Sequence, residues 1–244
     1  MAQNLKTEPY LLEGLVLPER AQLKLQFQIG FTHLSTKIEA TAFVSVILNQ
    51  VAVWVDTDIE WDIYDLKNVV KQILQNELAI IGYLTGFGYE VEIRRILHRG
   101  RNIDCVYGID IPYIEERNKG IDINAKITSI RKKIVGENGI LLHRCFNDLV
   151  MAMKYPTDTA FYCYRAIESL RHHCGEKYGI DKEDKTTQWQ KFRECVRCDE
   201  ETINFVKRAA GPLRHGEITP VTSDDRVELF RRTWDIVDNY LEHI

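Results

Sequence analysis

Arg208 and His215 stand seven positions apart in the run Arg208-Ala-Ala-Gly-Pro-Leu-Arg214-His215-Gly216. An imidazole can move a proton and a guanidinium can steady the charge of a phosphate, so the pair suits acid–base chemistry on a phosphate without a metal. On a continuous helix they would lie nearly in line, since seven steps of about 100° fall roughly 20° short of two turns. Gly211 and Pro212 stand between them. A proline there removes a helix hydrogen bond and clashes with the preceding turn, so the sequence predicts a kink or a helix end between the two residues.

Other groupings could do other chemistry. Cys195-Val-Arg-Cys198, with His172, His173 and Cys174 upstream, has the ligand types that zinc prefers. It lacks a second CxxC or an HxxxH, and helical proteins bury single cysteines as small apolar residues, so no metal is expected. Asp56, Asp58, Glu60 and Asp62 alternate along an extended segment and could face a divalent cation. Charge guarding an exposed strand is the expected role. Tyr155, Phe161, Tyr162 and Tyr164 interleave with Arg165 and Arg171, a composition that can stack bases and hold phosphates, although helical spacing points to core packing. Arg94, Arg95, Arg99 and Arg101, with His98, form the densest basic cluster and the candidate anion-binding surface of the N-terminal half.

These residues must be placed by the elements around them. The chain has 244 residues, 45% hydrophobic and 28% charged, with net charge −4, the balance of a folded protein of one large or two ordinary domains. Neither half is basic enough to bind nucleic acid by bulk charge, and no DNA contact is expected. The start, MAQNLKTEPYLLEGLVLPER, lacks a basic opening and a small-residue cleavage site, and no apolar run approaches the roughly 20 residues that span a bilayer. The six cysteines are irregularly spaced, as in reduced proteins. A cytoplasmic protein with no membrane segment is the expectation.

Leu23 to Phe31 alternates strictly, and Ile38 to Val46 and Gln50 to Val55 are β-branched and aromatic, which predicts three strands. A helix follows with Asp65 as its expected N-cap, then a hairpin of Tyr89 to Ile93 and Ile103 to Tyr107. Gly82, Gly86 and Gly88 fall at that helix's C-terminus, where left-handed caps belong, and not in a phosphate-binding strand-to-helix turn. From Ile123 the period is helical, with helices predicted over 124–135, 140–154, 157–178, 185–196, 200–210 and 223–243. The fold class is therefore α+β: an antiparallel sheet with a covering helix over 1–122 and an all-helical bundle over 123–244.

With an arginine, six residues and a histidine beside the last long helices, residues 123–244 resemble the HEPN superfamily, whose nuclease members carry such an Arg-to-His motif. The Arg214-His215-Gly216 tripeptide is similar to the Apea-like and related bacterial branches, which are associated with phage defence. The resemblance implies a homodimer with two copies of the motif facing across a cleft, and a metal-independent endoribonuclease without a cofactor. It implies Arg208 and His215 as catalytic residues, Arg214 as a phosphate contact, and Glu168 and Arg165 as supporting groups on the preceding helix. RNA is the implied partner and toxin-like regulation or defence the implied setting. The alternative is a non-catalytic binding or dimerisation protein on the same fold, whose N-terminal domain recognises a partner or ligand; Ala209, Pro212 and the near-neutral helical half favour it.

Overall fold

A computed structural model describes residues 9–33, 36–108, 111–136, 138–217, 219 and 221–244; the first eight residues of the N-terminal segment read above lie outside these. The chain divides into two compact units, Met1–Ile109 and Asp110–Ile244. The fold is α+β as the sequence predicts, with a six-stranded antiparallel sheet in the first unit and helices in the second.

The sheet runs in the order β2-β3-β4-β1-β5-β6, with β1 Tyr10–Leu17, β2 Lys24–Thr32, β3 Glu39–Ile47, β4 Gln50–Asp56, β5 Glu90–His98 and β6 Ile103–Val106. Sequence patterning missed β1, although it is a central strand. Its apolar residues do not alternate, because a bulge between Glu13 and Gly14 shifts the register against β5 and with it the inward-facing set. Gly14 is required there, since a Cβ would stand 2.2 Å from the Glu92 carbonyl oxygen.

Helix α1, Ile63–Thr85, buries Leu66, Val70, Leu74 and Leu78, a stripe with i, i+4 spacing that packs into the same core as the inward valines of β3 and β4. Its N-cap is Asp62 and not Asp65: the Asp62 carboxylate accepts the N–H groups of Tyr64 at 2.9 Å and Asp65 at 3.0 Å. Asp65 sits inside the first turn, where its charge complements the helix dipole. The helix ends at Gly86 in the left-handed conformation (φ 75°), as the glycine spacing predicts.

The β3–β4 hairpin turns on Leu48 and Asn49, both with positive φ (48° and 67°), the pattern of a two-residue I′ turn. Asn49 suits that conformation and is buried. Its amide accepts from the Leu23 N–H at 2.7 Å and donates to the Val16 carbonyl at 2.8 Å, satisfying the backbone where β1 ends and β2 begins. Leu48 is exposed and gains no comparable contact for its strained backbone. Leu48→Asn is expected to stabilise the sheet unit by about 0.5 to 1 kcal/mol, read as a raised midpoint in urea.

The helical unit contains α2 Pro112–Arg117, α3 Ile123–Ile134, α4 Gly139–Lys154, α5 Thr159–Lys177, α6 Lys185–Val196, α7 Glu200–Arg214 and α8 Ser223–His243. Helix α5 is its axis, packing against α4, α6, α7 and α8 and burying Cys163, Tyr164, Ile167, Leu170 and Cys174. The short α2 lies in this unit: Ile111, Tyr113 and Ile114 join the helical core, and Arg117 bridges Asp235 at 2.9 Å and Asp238 at 2.7 Å on α8. No helix among the described residues is long and apolar enough to cross a membrane.

The sequence places a kink or helix end at Gly211-Pro212, but α7 is helical through Pro212 to Arg214. The terminator is Gly216, at φ 80°. The Gly216 N–H donates to the Leu213 carbonyl at 3.2 Å and the Glu217 N–H to the Pro212 carbonyl at 3.1 Å, the paired bonds of a Schellman motif. Pro212 deprives only the Arg208 carbonyl of its donor, and so near the C-terminus one missing bond does not end the helix.

Candidate functional site

Helix α7 begins at Asp199, whose carboxylate accepts the Thr202 N–H at 2.7 Å, and turns Ile203, Val206 and Ala210 into the core. That fixes the outward residues. Glu201, Arg208 and His215 follow one another at intervals of seven and are all exposed, so they form a line along the solvent side of the helix. Arg208 is held by Glu201: one guanidinium nitrogen donates to Glu201 Oε2 at 3.2 Å, and the other makes a closer contact with Oε1. That pairing holds the Glu201 carboxyl below its usual range. His215 caps the helix, using its backbone N–H, which donates to the Pro212 carbonyl at 2.9 Å, so its imidazole is left to solvent.

The supporting residues named from sequence take different places. Arg214 lies with its guanidinium 5.6 Å from the centre of the Tyr164 ring. Glu168 acts on Tyr164 and Arg171 through its charge. Arg165 instead binds Asp148 of α4, through Nε at 3.0 Å to both carboxylate oxygens and a closer contact from Nη2. Asp148 is 1% exposed, so this pair ties α4 to α5. Arg165 also covers the rings of Phe161 and Tyr162, and Tyr155 leans on Tyr162.

In the sheet unit, carboxylates hold most of the basic cluster. Arg95 makes two 2.8 Å hydrogen bonds to Asp104, Arg94 meets Glu92 at 2.8 Å, and Arg101 meets Glu60 at 2.6 Å; Arg99 lies in the 3-10 turn between β5 and β6. Two of the acidic residues singled out above thereby acquire structural roles, Glu60 as that partner and Asp62 as the α1 cap. Among the described residues no group of three or more His, Cys, Asp or Glu is placed to hold a metal ion. The sulfurs of Cys174 and Cys195 are 3.8 Å apart and buried, and burial pushes the Cys174 thiol up to about 12.

His173 is also committed. Its Nδ1 is 2.6 Å from the Tyr240 hydroxyl in the core, and burial pulls its pKa below the usual value. A histidine kept neutral in the folded protein contributes nothing to pH dependence well above its unfolded pKa of about 6.5; below that pH the unfolded chain binds the proton more readily and stability falls. The melting temperature is therefore expected to drop between pH 7 and pH 5, and His173→Gln to flatten that slope.

Sequence reasoning missed a cleft of about 280 Å³ between α5, α6 and α7, lined by Tyr164, Trp189, Arg193, Glu200, Asn204 and Lys207 among others. The spacing of Glu200, Asn204 and Lys207 shows one face of α7, but no local pattern shows that Trp189 of α6 faces it. The Trp189 and Tyr164 rings are nearly parallel, at 18° with centres 6.4 Å apart. Arg171 lies over Trp189 at 5.0 Å and is 3% exposed. Its Nη2 contacts His172 Nε2 at 2.7 Å, while its Nε and Nη1 have no hydrogen-bond partner among the described residues.

Comparison with known proteins matches each unit to one half of a single family. Residues 10–107 match the N-terminal domain, and residues 127–244 the C-terminal domain, of the domain of unknown function DUF8168. The matches follow the family's own order, and each falls within one compact unit. No curated protein and no solved structure matches the chain.

Proposed function

We propose that the helical unit is a metal-independent endoribonuclease of HEPN type, working as a homodimer in the cytoplasm, in bacterial defence or toxin-like regulation. The supporting observation is the unbroken course of α7 through Pro212, which leaves Arg208 and His215 in line and exposed. In this reading His215 of one protomer takes the 2′-hydroxyl proton as that oxygen attacks phosphorus. His215 of the other returns a proton to the departing 5′-oxygen, giving a 2′,3′-cyclic phosphate and a free 5′-hydroxyl. Arg208 steadies the charge on the phosphate, and the RNA must displace Glu201 from it.

A second reading, a binding or dimerisation protein on the same fold, is favoured by that Glu201 contact, which occupies Arg208 in the free protein. Incubation of the full chain with a mixed pool of single-stranded and structured RNA in EDTA decides between them. Cyclic-phosphate products support the nuclease; intact RNA with a folded dimer supports the binding protein.

A further inference from the structure

We infer that β2 is an interface strand, whose free edge pairs antiparallel with β2 of a second copy of this chain across a two-fold axis at Gln28. Strand β2 stands at one end of the sheet, and edge strands are ordinarily guarded by shortness, charge, proline or a bulge. The opposite edge, β6, is short, at four residues. Strand β2 has nine residues, one charge, at Lys24, and no proline, and it runs against β3 in unbroken register from Lys24–Ile47 to Thr32–Glu39. The backbone fixes which of its groups are free. The His33 N–H donates to the Ile38 carbonyl at 2.9 Å, and the Leu23 carbonyl accepts the Asn49 N–H at 3.3 Å. Bonding alternates along an antiparallel ladder, so the odd-numbered residues bond toward β3, and Lys24, Gln26, Gln28, Gly30 and Thr32 turn their N–H and C=O groups outward. Among the described residues those outward groups have no backbone partner.

The strand is complementary to itself about Gln28. Antiparallel pairing there sets Gln28 against Gln28, Gln26 against Gly30 and Lys24 against Thr32, all outward-pointing, with about ten hydrogen bonds between the copies, two for each pair. On the core side Leu25 meets Phe31 and Phe27 meets Ile29. These four side chains are only half-buried at the rim of the sheet's core, and pairing completes their burial. On the other face Lys24 arrives beside Thr32, whose neighbour on β3 is Glu39. Lys24 and Glu39 are exposed and form no ion pair among the described residues, so the two-fold axis creates two Lys24–Glu39 pairs and sets no like charges opposite one another. That match of charge and of apolar against apolar selects a second copy over an unrelated extended peptide. The contact lies in the sheet unit, so it goes beyond the dimer proposed for the helical unit and does not depend on the nuclease reading.

Cross-linking and light scattering of the full chain test this. In Gln28→Cys the two Cα atoms would stand about 5.5 Å apart, within reach of a disulfide, so diamide is expected to give a covalent dimer on a non-reducing gel above the wild-type level. In Gln26→Cys the two copies of the residue would be about 14 Å apart, four residues along the strands, and no such gain is expected. Gln28→Pro removes an outward N–H and leaves the bonds to β3 in place, so the sheet should fold. It is expected to raise the dissociation constant of the contact about tenfold or more, seen as dimer giving way to monomer or, where the helical unit pairs as well, as a larger assembly giving way to a dimer. Lys24→Glu should weaken the contact about tenfold, and Glu39→Lys in the same chain should restore it. The inference is overturned if the wild type is monomeric at high micromolar concentration, if Gln26→Cys cross-links as readily as Gln28→Cys, or if folded Gln28→Pro keeps the wild-type mass at every concentration.

Discussion

Alanine at His215 is expected to slow RNA cleavage in EDTA by about a hundredfold or more, the usual loss when a general acid or base is removed, with the melting temperature of the helical unit unchanged. The two readouts separate because of how α7 ends. The Schellman bonds at Gly216 and Glu217 use backbone groups only, and the imidazole is exposed. Its removal should therefore cost no more than an ordinary surface substitution, within about 0.5 kcal/mol. Arg208→Ala should lower the rate as well. Glu201→Gln is the informative companion, since weakening the contact that occupies Arg208 should raise the rate if the guanidinium must meet phosphate. Undiminished cleavage in His215→Ala would remove the catalytic assignment.

Arg165→Ala is expected to destabilise the helical unit by about 2 kcal/mol, measured by urea unfolding, below the range for a fully buried ion pair because the Arg165 side chain is 37% exposed. The truncation strands Asp148, a carboxylate 1% exposed in the α4–α5 interface, without the guanidinium that makes three contacts to it. Adding Asp148→Asn to the alanine variant should restore part of the loss, because a neutral amide is cheaper to leave buried than a charge. A loss of cleavage with full stability would instead return Arg165 to the supporting role that the HEPN resemblance implies.

The sequence by itself determined the α+β class, the existence of the long helices, the bounds of α3 to α6 and α8 to within two residues, and the left-handed cap at Gly86. These rest on local regularities, a period of two or of 3.6 residues closed by a glycine or an acid, and such regularities survive folding unchanged. It failed at β1, where a bulge breaks the alternation, and at Pro212, where the predicted break is absent and the helix runs on to Arg214 before Gly216 closes it. Arg208 and His215 were legible as a seven-residue spacing, but not as a residue of one unbroken helix and its C-cap. Arg165 was legible as a cation but not as the partner of Asp148, and Trp189, Asn204 and Lys207 were not legible as neighbours at all. Only the tertiary structure decides such matters, because the lining of a cleft and the partner of a buried charge depend on which helices pack together, and that packing joins residues far apart in the chain.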